Sequence, residues 1–291
     1  MLRLVLPKGS LELATFELFA AADLTVRRAS EVAYRATIDD PRIDEVHILR
    51  PQEIPTYVAE GLFDLGVTGR DWVEETGADV VSLGELRYSK ATAEPIKVVL
   101  AVSDDSPIRK VEDLEQGCRI STEYPGLTKR FLAGRGLEAD VRFSFGATEA
   151  KIPDIADAVV EITETGRALE AAGLKVIDVV MESNTVLAAN PTAAADPVKA
   201  HAMGQILTLL QGALDARSHV LVKLNVAERD LEAVIAVLPS LKSPTVSKLF
   251  GEGGFAIETV VPKSTINVLI PELKDRGATD IIELPLAKIV H

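Results

Sequence analysis

One grammar recurs through the first two thirds of this chain: a short apolar run, a turn of small or charged residues, then helix formers. Leu2–Leu6 runs into Pro7-Lys8-Gly9-Ser10, Leu62–Val67 into Thr68-Gly69-Arg70-Asp71, and Ala158–Ile162 into Thr163-Glu164-Thr165-Gly166. Strands that alternate with helices build a parallel sheet covered on its faces, which makes the fold class α/β. The composition agrees, because 47% of residues are hydrophobic but only 4% aromatic, so the cores are made of Val, Ile, Leu and Ala. Ligands of open α/β sheets bind beyond the carboxyl ends of the strands. The three turns are therefore where function is sought.

At 291 residues the chain is long enough for two or three domains. Its formal charge of −13 opposes binding to nucleic acid or to an anionic membrane, so an anionic ligand needs a local basic cluster. The single cysteine, Cys118, and four scattered histidines offer neither an intramolecular disulfide nor a zinc pattern. Any metal is expected to arrive with a substrate. MLRLVLPKGS lacks the apolar core and cleavage site of a signal peptide, and no apolar run approaches the roughly 20 residues of a membrane span. A cytoplasmic protein is expected.

The stretch Asp157–Leu169, DAVVEITETGRAL, is the best candidate for chemistry. A strand that breaks at Thr163–Gly166 into a helix presents backbone N–H groups and hydroxyls to an anion. Glu161, just before the turn, is placed to bond two neighbouring hydroxyls such as those of a ribose. An ordinary helix cap is the alternative reading of the same residues. Lys8 and Arg50 each fall at the carboxyl end of a strand, as ligands of phosphate or pyrophosphate or as solvated loop residues. Arg27, Arg28 and Arg35 read as surface residues, and Trp72, the only tryptophan, as a core or hinge anchor.

Ile96–Val102, almost wholly apolar, marks the passage into a second lobe, and Leu174–Met181 and Thr185–Ala189 read as strands that return to the first. The expected domains are residues 1–95 with 180–216, residues 96–179, and residues 217–291. Two lobes joined by two crossings describe a hinged clamshell. In the last domain, strands at His219–Val226, Pro244–Leu249, Phe255–Val261 and Ile281–Ile289 with helices at Ala227–Leu238 and Ser264–Arg276 spell a ferredoxin-like βαββαβ unit.

Five stretches taken in order, LPKGSLELAT, LRPQEIPTYVAEGLFDLGVTGRDWV, STEYPGLTKRF, DAVVEITETGRAL and LPSLKSPTVSKL, resemble the ATP phosphoribosyltransferases in their long form with a C-terminal regulatory domain. The resemblance implies a clamshell like the type II periplasmic binding proteins. It implies attack of N1 of ATP on C1 of phosphoribosyl pyrophosphate, with release of Mg2+-bound pyrophosphate, and feedback inhibition by histidine. It puts Glu161, Thr163, Glu164, Thr165, Gly166 and Arg167 on phosphoribosyl pyrophosphate, Lys8 and Arg50 near the leaving pyrophosphate, and Asp71 and Tyr124 near the adenine or its ribose. Asn225, Leu241, Ser243 and Thr245 would line the histidine pocket. Two departures stand out, Ala168 where many relatives have Thr and Asn225 where Asp is frequent. The implied assembly is a homo-oligomer, from dimer to hexamer. A non-catalytic two-lobed protein that senses a small molecule has the same clamshell; the joint presence of Lys8, Arg50, Glu161 and Thr165 speaks against an inactive paralogue.

Overall fold

The computed structural model describes residues 1–88, 95–239, 243–251 and 253–291, whose strands form three sheets. Two compact units result: Met1–Ala20 with Leu24–Leu207, and Ala21–Asp23 with Thr208–His291. No helix among the described residues is long and apolar enough to cross a membrane.

In the first sheet, β1 (Leu2–Pro7) leads to α1 (Glu12–Ala21), β2 (Val26–Arg28), β3 (Arg35–Ile38), β4 (Ile43–Leu49), α2 (Ile54–Ala59), β5 (Leu65–Gly69), α3 (Arg70–Thr76) and β6 (Val81–Leu86). β4, β1 and β5 run parallel at the centre, and Leu4, Val5, Leu6, Ile48, Leu65 and Val67 are all 0% exposed, as strands covered on both faces must be. β2 and β3, of three and four residues, are too short to stand out in the sequence, and β6 is mostly unburied. Arg27, Arg28 and Arg35 lie on β2 and β3, and Arg28, read as a surface residue, instead ion-pairs with Glu12 at 2.6 Å. Charged strands at a sheet edge discourage further pairing.

The second sheet holds β7 (Ile96–Ser103), β8 (Arg119–Thr122), β9 (Asp140–Phe143), β10 (Ala158–Thr163) and β11 (Leu174–Ser183), in the order β11-β7-β10-β8-β9. α4 (Pro125–Ala133) follows β8 and α5 (Arg167–Ala171) follows β10. β8 is parallel to β9 and β10, while β7 is antiparallel to β10 and β11. Here the expectation for Leu174–Met181 fails: β11 does not return to the first sheet but pairs with β7 as far as Ser183↔Ile96. The strand runs on to Ser183, two residues beyond the expected Met181, with register shifts at Val176/Asp178 and Val179/Met181. The return is a single residue, Asn184, after which β12 (Thr185–Ala189) enters the first sheet between β5 and β6. α6 (Pro191–Ala195) and α7 (Pro197–Arg217) follow.

The third sheet is formed by β13 (His219–Val226), β14 (Thr245–Lys248), β15 (Phe255–Pro262) and β16 (Ala278–Pro285), with α8 (Leu231–Ile235) and α9 (Ile266–Asp275) between them. Its order β14-β15-β13-β16, antiparallel throughout, is that of the ferredoxin-like unit. Val220, Val222, Leu224 and Val226 point alternately into a core with Val234, Ile257, Val261 and Leu273. The final strand begins at Ala278 rather than Ile281, because Gly277 at φ +95° ends the helix at once and a register shift beside Asn225 absorbs Asp280 at φ +49°.

Candidate active site

The parallel register brings Lys8 and Arg50 together. Pro7 pairs with Leu49 across β1 and β4, and the Lys8 N–H donates to the Leu49 carbonyl at 2.7 Å. Between them Gly9, at φ +91°, turns the chain, and a Cβ there would lie 3.4 Å from an Arg50 guanidinium nitrogen. The Lys8 ammonium stands 4.1 Å from the centre of the Tyr34 ring. Such a contact holds the side chain without neutralising it.

On the next strand, Gly69 and Asp71 open α3. Asp71 is only 2% exposed, and neutral donors hold its carboxylate: Tyr124 Oη at 2.7 Å and Ser183 Oγ at 2.6 Å. Its own N–H donates to Ser183 Oγ at 3.0 Å. Only glycine fits at Gly69, since a Cβ there would come within 2.1 Å of the Asp71 carboxylate. Tyr124, 1% exposed, stacks on Trp72 with ring centres 4.4 Å apart. Burial, reinforced by the Asp71 carboxylate, drives the Tyr124 phenol far above its ordinary pKa and keeps it a donor. With its hydroxyl on Asp71, Tyr124 makes no cap for α4. Glu75 supplies one instead, accepting from the N–H groups of Gly126 at 2.9 Å and Leu127 at 2.7 Å. These contacts join α3 of the first lobe to α4 of the second.

At the third turn, Gly166 takes the left-handed conformation at φ +79°, and its N–H donates to Thr163 Oγ1 at 2.7 Å. α5 is only five residues long, so little macrodipole accumulates; what the turn offers an anion is local N–H groups and hydroxyls, with Thr165 and Arg167 exposed. Ala168 is exposed too. Glu161 is half-buried and accepts the Ile162 N–H at 2.9 Å. Burial pushes its carboxyl above the usual range, against bonds from Ile162 and Thr148, and Glu123 and Glu149 push the same way as burial.

A cavity of about 190 Å³ lies where these turns and the two crossings meet, lined by Ser10, Asp71, Trp72, Glu164, Ser183 and Asn184 among others. Asp71 and Glu164 thus share one wall system, while Lys8, Arg50, Glu161 and Tyr124 stand outside the lining. Ser183, Asn184 and Glu75 were not singled out from sequence. A small polar pair between two apolar strands was the only signal for the first two, and nothing marked the third.

In the third sheet, alternation puts Lys223 and Asn225 on the face opposite the core, and the pairs Thr245↔Glu258 and Asn225↔Ala256 put Thr245 there too. Ser243 is exposed, and Leu241 lies outside the described residues. Asn225 Nδ2 donates to Asp280 at 3.0 Å, so a carboxylate stands beside the amide after all.

A family model described as ATP phosphoribosyltransferase matches residues 50–212, and one described as HisG, C-terminal domain, matches residues 216–288. The chain is 48% identical over 291 residues to the ATP phosphoribosyltransferase of Desulforudis audaxviator and 46% identical over 291 residues to that of Pelotomaculum thermopropionicum, each match covering 99% of both chains. Among solved structures, the ATP phosphoribosyl transferase (HisG:HisZ) complex from Thermotoga maritima superposes with a TM-score of 0.62 at 26% identity, covering 72% of this chain and 97% of that one. Matched by such relatives along almost its whole length, the chain belongs to the ATP phosphoribosyltransferase family, in the long form that carries a C-terminal domain.

Proposed function

We infer that this protein transfers the phosphoribosyl group of phosphoribosyl pyrophosphate to N1 of ATP, the first step of histidine biosynthesis. What carries the reading is its near-full-length identity to enzymes of that name. The N1 lone pair forms a bond to C1 of the ribose while the C1–O bond to pyrophosphate breaks, and the electron pair leaves with the pyrophosphate. Lys8 and Arg50, neighbours on adjacent strand ends in a chain of charge −13, are suited to the charge that grows on that leaving group. Glu161 bonds the ribose hydroxyls, and Thr163, Glu164, Thr165, Gly166 and Arg167 surround the 5-phosphate. The cavity falls below the roughly 300–1,000 Å³ of a whole-ligand site. A volume of about 190 Å³ suits one ring of a substrate, the adenine or its ribose, beside Asp71 and close to Tyr124. No general base is required, because the 6-amino group of adenine becomes acidic only after N1 is alkylated; the chain's task is to position two anions.

Mg2+ enters with the pyrophosphate as part of the substrate. Histidine is assigned to the outward face of the third sheet, at Asn225, Ser243 and Thr245, with Asp280 supplying the charge that Asn225 lacks. We assign the protein to the cytoplasm as a homo-oligomer. Incubation of the purified protein with ATP, phosphoribosyl pyrophosphate and Mg2+, followed by ultraviolet absorbance of the product, tests the reading. Absence of product, with binding of either substrate retained, would favour a two-lobed sensor instead.

A further inference from the structure

The turn after β5 cannot cap its own helix. A Cβ on Gly69 would come within 2.1 Å of the Asp71 carboxylate, so the residue before α3 has no side chain, and the first N–H groups of the helix need partners from elsewhere. The return crossing supplies them. The Asn184 carbonyl accepts from the Arg70 N–H at 2.9 Å, and Ser183 Oγ accepts from the Asp71 N–H at 3.0 Å. Asn184 is itself fixed, its amide donating to Glu85 at 3.0 Å.

The same serine oxygen has a hydrogen to give. Two acceptors stand in reach, Asp71 Oδ1 at 2.6 Å and the Asn184 carbonyl at 3.4 Å, and the short contact to the carboxylate is the stronger. Tyr124 donates to the other oxygen, Oδ2, at 2.7 Å. A carboxylate carried by the first sheet is thus oriented at both oxygens by hydroxyls that follow strands of the second, Ser183 at the end of β11 and Tyr124 after β8. Ser183 also pairs with Ile96 at the start of β7, so its hydroxyl stands beside both crossings. Burying a carboxylate among hydroxyls costs desolvation that an apolar residue would spare. Two of its roughly four acceptor positions are taken, and the rest are open to donors of whatever enters the cavity that Asp71 and Ser183 line.

We propose that Ser183 is a positioning residue for ATP, its hydroxyl holding the Asp71 carboxylate toward the donor groups of the adenosine moiety. The role rests on the assignment of Asp71 to that moiety.

Two readouts test it, steady-state kinetics with each substrate varied in turn and the fluorescence of Trp72. This only tryptophan lines the same cavity, so quenching by ATP reads binding apart from turnover. Ser183→Ala should weaken ATP binding and raise KM for ATP, each by about tenfold, while KM for phosphoribosyl pyrophosphate stays within about twofold. Ser183→Thr, which keeps the hydroxyl, should recover most of the loss. Ser183→Cys keeps nearly the same volume with a weaker donor, so it reads the bond even where the alanine variant does not fold. A rise of both KM values together would overturn the proposal and make Ser183 a support of the fold alone. The decisive measurement is the combination with Asp71→Ala. If Ser183 acts through Asp71, the double variant binds ATP no more weakly than Asp71→Ala does. Multiplying losses would overturn the positioning role and make Ser183 a ligand of ATP in its own right. Wild-type ATP affinity in both Ser183→Ala and Ser183→Cys, with Asp71→Ala impaired, would overturn the proposal and leave the Asp71 assignment standing. Wild-type affinity in Asp71→Ala would remove that assignment and the proposal together.

Discussion

Glu161 is held at a cost to the fold. Burial first, then Glu123 and Glu149, raise its carboxyl pKa, so the charged form destabilises the native state as pH rises through that raised value, and the penalty is absent below the ordinary glutamate value near 4.3. Glu161→Gln should therefore raise the melting temperature of the ligand-free protein at pH 8 and leave it unchanged at pH 4. The same variant should lose about five- to tenfold in kcat/KM for phosphoribosyl pyrophosphate, and its pH profile should lose an acidic limb that in the wild type begins above the usual glutamate range. Scanning calorimetry and a pH series check both halves; a melting temperature that falls at pH 8 would make Glu161 a structural residue. Lys8, Arg50, Glu161 and Gly166 were singled out where chemistry and chain punctuation coincide, and the structure sets Lys8 beside Arg50 at adjacent strand ends and Gly166 in a left-handed turn. Ser183 and Glu75 were not singled out, because their partners, Asp71 and the Gly126–Leu127 amides, are 112 and about 50 residues away.

Between α3 and α4 the packing is set by absences of side chain. A Cβ on Gly126 would come within 2.9 Å of the Glu75 carbonyl oxygen, so the helices approach at backbone distance and the Glu75 carboxylate reaches both free N–H groups of the first turn of α4. Glu75→Gln keeps one of those acceptors and should cost about 1 kcal/mol, seen as a melting point lower by about 2–4 °C. Gly126→Ala should cost more, because backbone must move, and should also raise KM for ATP through Tyr124 and Asp71; equal KM values would separate this junction from the nucleotide. Elements with a clear period were readable before the structure: the four strands of the third sheet and the apolar β7 fall within a few residues of their expected places. β2 and β6 escaped because edge strands bury too little to carry a pattern and β3 because four residues are too few to show one, while β11 was read as a strand but given to the wrong sheet.

At the scale of the molecule, the function proposed above puts catalysis and histidine sensing on separate sheets, so inhibition by histidine would be a coupling between sites, reciprocal in binding. Calorimetry should show histidine binding to the full chain, about tenfold weaker in Ser243→Ala/Thr245→Val as two hydroxyl contacts are lost, with phosphoribosyl pyrophosphate shifting the affinity. Equal binding by the wild type and the double variant would move the pocket elsewhere. The clamshell itself was legible as alternating strand and helix, but its return crossing was placed several residues too early. That crossing is one residue, Asn184, whose carbonyl accepts the Arg70 N–H at 2.9 Å while Ser183 grips Asp71. In mechanical terms, one peptide unit separates the two sheets at this crossing, and its two ends, Ser183 and Asn184, are themselves part of the cavity wall, so a rotation of one lobe against the other about this point would deform that wall directly.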